Sequence, residues 1–104
     1  MNTTRLIPLT LALGLLLSAG QAAADEATAK ANGCMACHAL DKKLVGPAYK
    51  SVANKYKGDA AAADKLANVV RAGNKGVWGP TPMPPQTKIS DADLKKVVAW
   101  ILAQ

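Results

Sequence analysis

The chain has no phenylalanine, one histidine and two cysteines. Its aromatic residues are two tryptophans and two tyrosines. So few large rings leave little bulk for a core. A structural zinc site needs four Cys or His ligands, and only three such residues exist. The two cysteines are three positions apart, so a disulfide between them would close a tiny loop and constrain the unfolded chain weakly. Acidic residues are also few, 7 against 13 Lys and Arg, giving a formal net charge of +6. Aromatic residues are not interleaved with the basic ones, which argues against nucleic acid as a partner. No apolar run reaches the roughly 20 residues of a membrane span. No internal repeat is visible, nor any strand-like alternation.

The N-terminus has a recognisable processing pattern. Arg5 gives the first residues a positive charge, Leu6 to Leu17 is apolar, and Ser18 to Ala24 is small and polar. Ala22-Ala23-Ala24 forms an A-x-A site directly before Asp25 and Glu26, the first acidic residues. This predicts a signal peptide over 1–24, cleaved on export, and a domain over 25–104. No cysteine stands near Gly20 or Gln21 to carry a lipid. An exported domain this small usually needs a disulfide, metal or cofactor to hold it together.

Four helices are expected. The first covers Glu26 to Asn32, with Gly33 as its break. The second covers about Ala48 to Lys55, with Pro47 in its first turn. The third covers about Ala60 to Ala72, striped by Leu66, Val69 and Val70 and ended by Arg71 and Gly73. The fourth starts at Ser90, an N-cap with Asp93 three residues on. Ile89 and Leu94 stand at the positions of a hydrophobic staple. Leu94, Val97, Val98 and Ile101 repeat at helical spacing, flanked by Trp100. Two long loops remain, Ala39 to Gly46 and Asn74 to Lys88. The second contains V-W-G-P-T-P-M-P-P, and a long proline-rich loop in a small domain is usually functional.

The chemistry is concentrated in G-C-M-A-C-H-A, Gly33 to Ala39. Both cysteines and the only histidine fall here. C-x-x-C-H is the attachment signature of c-type haem. Two intervening residues let the thiols of Cys34 and Cys37 reach two vinyl groups on one porphyrin edge as thioethers. His38 is then carried under the iron as an axial ligand. Export suits this attachment. A thioredoxin-like site expects a βαβ context that is missing. A local disulfide with an ordinary surface histidine is the plain rival.

The second axial ligand follows by elimination. No other histidine exists, Met1 leaves with the signal, and Met35 lies inside the motif, unable to reach the opposite ring face. Met83 remains, in a loop stiffened by Pro80, Pro82, Pro84 and Pro85. Its ordinary alternative is core filling. A His/Met pair raises the reduction potential and closes both axial positions, which favours electron transfer. The segment Gly46-Pro47 can supply a backbone carbonyl to the His38 ring. The Trp78 indole needs a hydrogen-bond partner if buried, either a haem propionate or a group of the core.

Residues 25–104 resemble the small bacterial class I cytochromes c, the cytochrome c-551/c-552 group. The resemblance is carried by C-M-A-C-H at Cys34, V-G-P-A-Y at Val45, V-W-G-P-T-P-M-P-P at Val77 and A-W-I-L in the last helix. It implies an all-α fold of four to five helices wrapped around one covalently attached haem c, with the terminal helices crossing. It implies Cys34 and Cys37 as thioether residues and His38 and Met83 as iron ligands. The Pro47 carbonyl would accept from His38, and Trp78 would bond a propionate. The family shuttles electrons in the periplasm to nitrite reductase, terminal oxidases or cytochrome c peroxidase, and is not itself enzymatic. Gln86 stands where many relatives have Asn, and Val69 where many have an arginine that reaches a propionate. That arginine's role is not carried over to Arg71.

The expected partners are redox proteins with acidic patches, met by lysines around the haem edge, Lys42 and Lys43 first. The carrier is expected to be monomeric, without a membrane span. Two other functions compete with it. One is a haem enzyme or ligand sensor in which Met83 dissociates. The other is a small disulfide-bonded binding module.

Overall fold

Local sequence chemistry sets where each helix begins and ends. The computed structural model describes residues 25–104. The proposed signal at 1–24 lies outside the described residues. The described residues form four α-helices: α1 over 25–31, α2 over Tyr49–Lys55, α3 over Ala62–Ala72 and α4 over Asp91–Leu102. A single 3-10 turn, Cys34–Ala36, follows α1. No strand occurs among the described residues; one isolated antiparallel bridge pairs Asn74 with Met83. The all-α expectation holds.

Gly33 ends the α1 region with φ 76°, a left-handed turn that glycine adopts without steric cost. The chain can therefore reverse directly into the cysteine turn. Helix α2 starts later than Pro47 implied. Its N-cap is Ala48, with extended ψ of 140°, so Pro47 stands before the cap rather than in the first turn. The first N–H groups of α2 are taken by the preceding loop, Tyr49 donating to the Ala39 carbonyl and Lys50 to the Leu40 carbonyl, each at 3.0 Å. Helix α3 begins at Ala62 rather than Ala60. The Asp59 carboxylate accepts from the Ala61 N–H at 2.9 Å, holding residues 59–61 in a turn ahead of the helix. Helix α4 starts as its sequence requires, with Ser90 Oγ accepting from the Asp93 N–H at 3.1 Å.

The core forms where α4 packs on α2 and α3. Leu94, Val97, Val98, Trp100 and Ile101 come from α4, Tyr49 and Val52 from α2, and Leu66 from α3. Ala29 of α1 joins them with no exposed surface, and Ile89 covers the start of α4. Burying each large apolar chain contributes about 1.5–3 kcal/mol. Trp100, expected to flank the apolar face, is buried and meets Tyr49 edge-on, ring centroids 5.5 Å apart. The 74–88 loop has its two arms tied by main-chain hydrogen bonds between Asn74 and Met83.

Candidate functional site

Cys34, Cys37, His38, Pro47, Trp78 and Met83 all line one cavity. The rest of its wall is mainly aliphatic, including Val52, Leu66, Val69, Val70, Leu94 and Val97. Met35 is not part of the wall; it packs against the helical core. A separate open groove, bordered by Lys50, Asn54, Lys57, Asp59 and Gln104, contains no cysteine, histidine or methionine.

The histidine side is built from short-range contacts. The 3-10 turn brings the His38 N–H to the Cys34 carbonyl at 3.1 Å. The Gly46 N–H donates to the Cys37 carbonyl at 2.7 Å, closing the 38–45 loop back onto the motif. His38 Nδ1 lies 2.8 Å from the Pro47 carbonyl oxygen. A carbonyl can only accept, so Nδ1 carries the proton and Nε2 keeps its lone pair. That tautomer presents a metal-binding nitrogen, oriented through the other ring nitrogen. The Tyr49 ring stacks on His38 at 4.8 Å with 17° between planes. His38, Tyr49 and Trp100 thus form a continuous contact from cavity to core. A Cβ on Gly46 would stand 2.5 Å from His38 Cε1, so only glycine lets the backbone approach the ring this closely.

Tyr49 was not singled out from the sequence as a site residue, and Gly46 was named only with Pro47, as a source of a backbone carbonyl. Their signal was their place in V-G-P-A-Y, just after the loop that His38 begins. Burial pushes the Cys34 thiol up in pKa, partly opposed by its hydrogen bond with Tyr49. Burial also pushes the Tyr49 phenol up, with the nearby cysteines adding to it. Both groups are therefore neutral at physiological pH.

The methionine side is built from backbone. Asn74 and Met83 exchange two bonds, Asn74 N–H to Met83 carbonyl at 3.0 Å and Met83 N–H to Asn74 carbonyl at 2.7 Å. The Gln86 N–H donates to the Val70 carbonyl at 3.0 Å. Gln86 Nε2 donates to the Pro84 carbonyl at 2.9 Å, bracing the prolines after Met83. Gly73 takes φ 83°, and a Cβ there would meet the Met83 carbonyl oxygen at 2.8 Å. Trp78 is half-buried, with Lys55 Nζ 5.7 Å from its ring centroid. The indole face is therefore engaged by a cation from α2.

A cytochrome c family model matches residues 19–104. The chain belongs to the cytochrome c family. It is 50% identical over 93 residues to cytochrome c-552 of Nitrosomonas europaea, covering 89% of this chain and 90% of that one. It is also 50% identical over 95 residues to cytochrome c-551 of Pseudomonas aeruginosa, covering 90% of each. The crystal structure of wild-type Nitrosomonas europaea cytochrome c552 superposes with a TM-score of 0.73 at 47% identity, covering 75% of this chain and 96% of that one. The fold is accordingly that of the class I cytochromes c. Membership brings a covalently attached haem c with its iron, and a role as a monohaem electron carrier.

The residues of this cytochrome c suit such a group on their own chemistry. Cys34 and Cys37 are free thiols, the form from which thioethers are made. His38 keeps an unprotonated nitrogen, Met83 offers a neutral thioether, and the remaining wall is apolar enough to accept a porphyrin.

Proposed function

We propose that the protein carries single electrons between respiratory redox proteins in the periplasm. Cys34 and Cys37 would hold the haem covalently, and His38 and Met83 would ligate its iron. The observation that carries this reading is the single cavity whose wall joins Cys34, Cys37, His38 and Met83. When bound, haem c supplies a one-electron iron couple. Pro47 holds the proton on His38 Nδ1 and so fixes ring orientation and ligand basicity. The Met83 thioether, a weaker donor than imidazole, would raise the potential and leave the iron no free site. Trp78 donates its indole N–H to a propionate. Lys42 and Lys43, with the exposed Leu44, Val45 and Val77 nearby in the two loops, receive the acidic patch of a partner. The carrier works as a monomer, and residues 1–24 direct its export.

The test is spectroscopic. The matured protein should give a pyridine haemochrome of c-type haem after denaturation. Its oxidised native form should show the weak long-wavelength band of an iron–thioether bond. Met83→Ala should remove that band, lower the potential and open the iron to carbon monoxide, with the haem still attached. Wild-type protein lacking the band would rule out Met83 as ligand. If it also bound carbon monoxide readily, a ligand-binding enzyme or sensor would become the better reading. Absence of haem after proper maturation would overturn the roles of Cys34, Cys37 and His38.

A further inference from the structure

Arg71 is a charged residue that neither the attachment motif nor the methionine loop accounts for. It stands in the last turn of α3, two residues before Gly73. Its side chain is only 33% exposed. One guanidinium nitrogen, Nη1, donates to the Gln86 carbonyl at 2.8 Å and to the Ile89 carbonyl at 2.7 Å. The other, Nη2, donates to the Asp91 carboxylate at 2.8 Å. The Asp91 side chain is fully exposed, so that ion pair by itself contributes little.

The carbonyls are the informative contacts. An arginine at a helix C-terminus is ordinarily explained by the helix dipole or by its own last carbonyls. Here it reaches away from its helix and takes two carbonyls from the irregular segment between Met83 and α4. Those acceptors lie 15 and 18 residues along the chain. A planar guanidinium can donate to several fixed acceptors at once, which a lysine ammonium on a flexible stem does poorly. The Gln86 N–H also returns to Val70, one residue before Arg71. Met83 therefore sits in a span closed on both sides. Asn74 ties it on the N-terminal side, and the last turn of α3 ties it on the C-terminal side through Gln86, Ile89 and Asp91.

We propose that Arg71 is a positioning residue for Met83. By fixing the 86–91 segment to α3, it limits the local opening through which the thioether leaves the iron. The proposal rests on Met83 being an axial ligand. Local opening of the segment between Met83 and α4 requires the bonds that tie it to α3 to break. Removing the clamp therefore raises the fraction of molecules with an open axial position.

The experiment uses the oxidised holoprotein and imidazole as the competing ligand. Arg71→Gln should bind imidazole about tenfold more tightly than wild type, the effect of losing charge-assisted bonds to two carbonyls. Its iron–thioether band should weaken, and the Gln86 amide should exchange hydrogen faster. Arg71→Lys should fall between wild type and Arg71→Gln. Asp91→Asn, which keeps both carbonyl bonds, should change imidazole affinity less than about twofold. Ala29→Gly serves as a control that destabilises the core at α1, away from the cavity wall and the loop. Should Arg71→Gln fail to mature, Arg71→Lys carries the same titration. Unchanged affinity, band and Gln86 exchange in the available Arg71 variant would overturn the proposal. So would a shift that Ala29→Gly reproduces at equal loss of stability. A wild-type protein without the band would instead remove the reading of Met83 beneath it.

Discussion

His38 is held by its side chain, through the Pro47 carbonyl at 2.8 Å and the Tyr49 ring at 4.8 Å. Met83, on the same cavity wall, is held through its backbone, by the paired bonds to Asn74 at 3.0 and 2.7 Å. The histidine's partners lie within 11 positions along the chain, and one of them, Tyr49, is a core residue. The methionine's supports come from the end of another helix and act mainly through main-chain atoms. The lesson concerns where this protein can open. A ligand oriented by core packing moves only when the core moves. A ligand oriented by a hydrogen-bonded loop moves when a few exposed or half-buried bonds break. With His38 and Met83 as the proposed iron ligands, exchange is expected on the methionine side.

Two glycine substitutions test that contrast most severely, because each pushes a methyl group against one ligand. Gly73→Ala should be the larger. It combines a backbone conformation largely reserved for glycine, φ 83° and ψ 168°, with a Cβ 2.8 Å from the Met83 carbonyl oxygen. Strain of this kind costs about 1–3 kcal/mol before the clash is added. Urea unfolding of the holoprotein should show about 3 kcal/mol lost. The iron–thioether band should weaken with haem attachment intact. Gly46→Ala should cost about 2 kcal/mol by crowding the His38 ring, without a backbone penalty. Its mark should be a changed histidine environment in paramagnetic NMR with the methionine signals preserved. If Gly46→Ala disturbed Met83 as much as Gly73→Ala does, the two sides would not be independent.

The same contrast explains what could be read from the sequence. The motif, the elimination that left Met83, and the start of α4 were all legible because their partners are close in the chain and carried by distinctive side chains. Ser90 and Asp93 are three apart, and Ile89 and Leu94 five apart. The start of α3 was misjudged by two residues because Asp59 offers a competing local turn that alanine-rich propensity hides. Pro47 was put in the first turn of α2, although the cap falls at Ala48. The supports of Met83 were not legible at all. Asn74 and Ile89 act through main-chain atoms, which every residue has, and Gln86 does so toward Val70 and Arg71. Arg71 was visible only as a helix-ending cation, because its acceptors are carbonyls 15 and 18 residues away.

A gentler probe of the methionine side is the start of α4. Ser90→Ala removes the cap on Asp93 and should cost about 1 kcal/mol. The first turn of α4 includes Asp91, one end of the Arg71 clamp. Fraying there should speed amide exchange at residues 86–93 and raise imidazole affinity slightly, with the His38 signals unmoved. An equal change at His38 would mean that α4 transmits strain to both sides through Tyr49 and Trp100.

The smallest effect is expected at the opposite end of α3, where Asp59 and Lys65 pair at 2.7 Å on the surface. The Lys65 hydrogen bond, then the Ala61 N–H, holds the Asp59 carboxyl below its ordinary value of 3.8. A carboxyl lowered on folding contributes stability that is fully present above that ordinary value. The contribution is lost as pH falls through the lower, folded value. Lys65 is raised above its ordinary 10.5, first by the same bond, so its share is present below 10.5 and lost as pH rises through the folded value. Asp59→Asn should flatten the acid limb of the stability profile only slightly, since both groups are solvent-screened. The band of the iron–thioether bond should keep its wild-type intensity at pH 7, because Asp59 anchors the start of α3 and Arg71 its end. Loss of the band in Asp59→Asn would mean that α3 shifts as one rigid body, and that Met83 is sensitive to both of its ends.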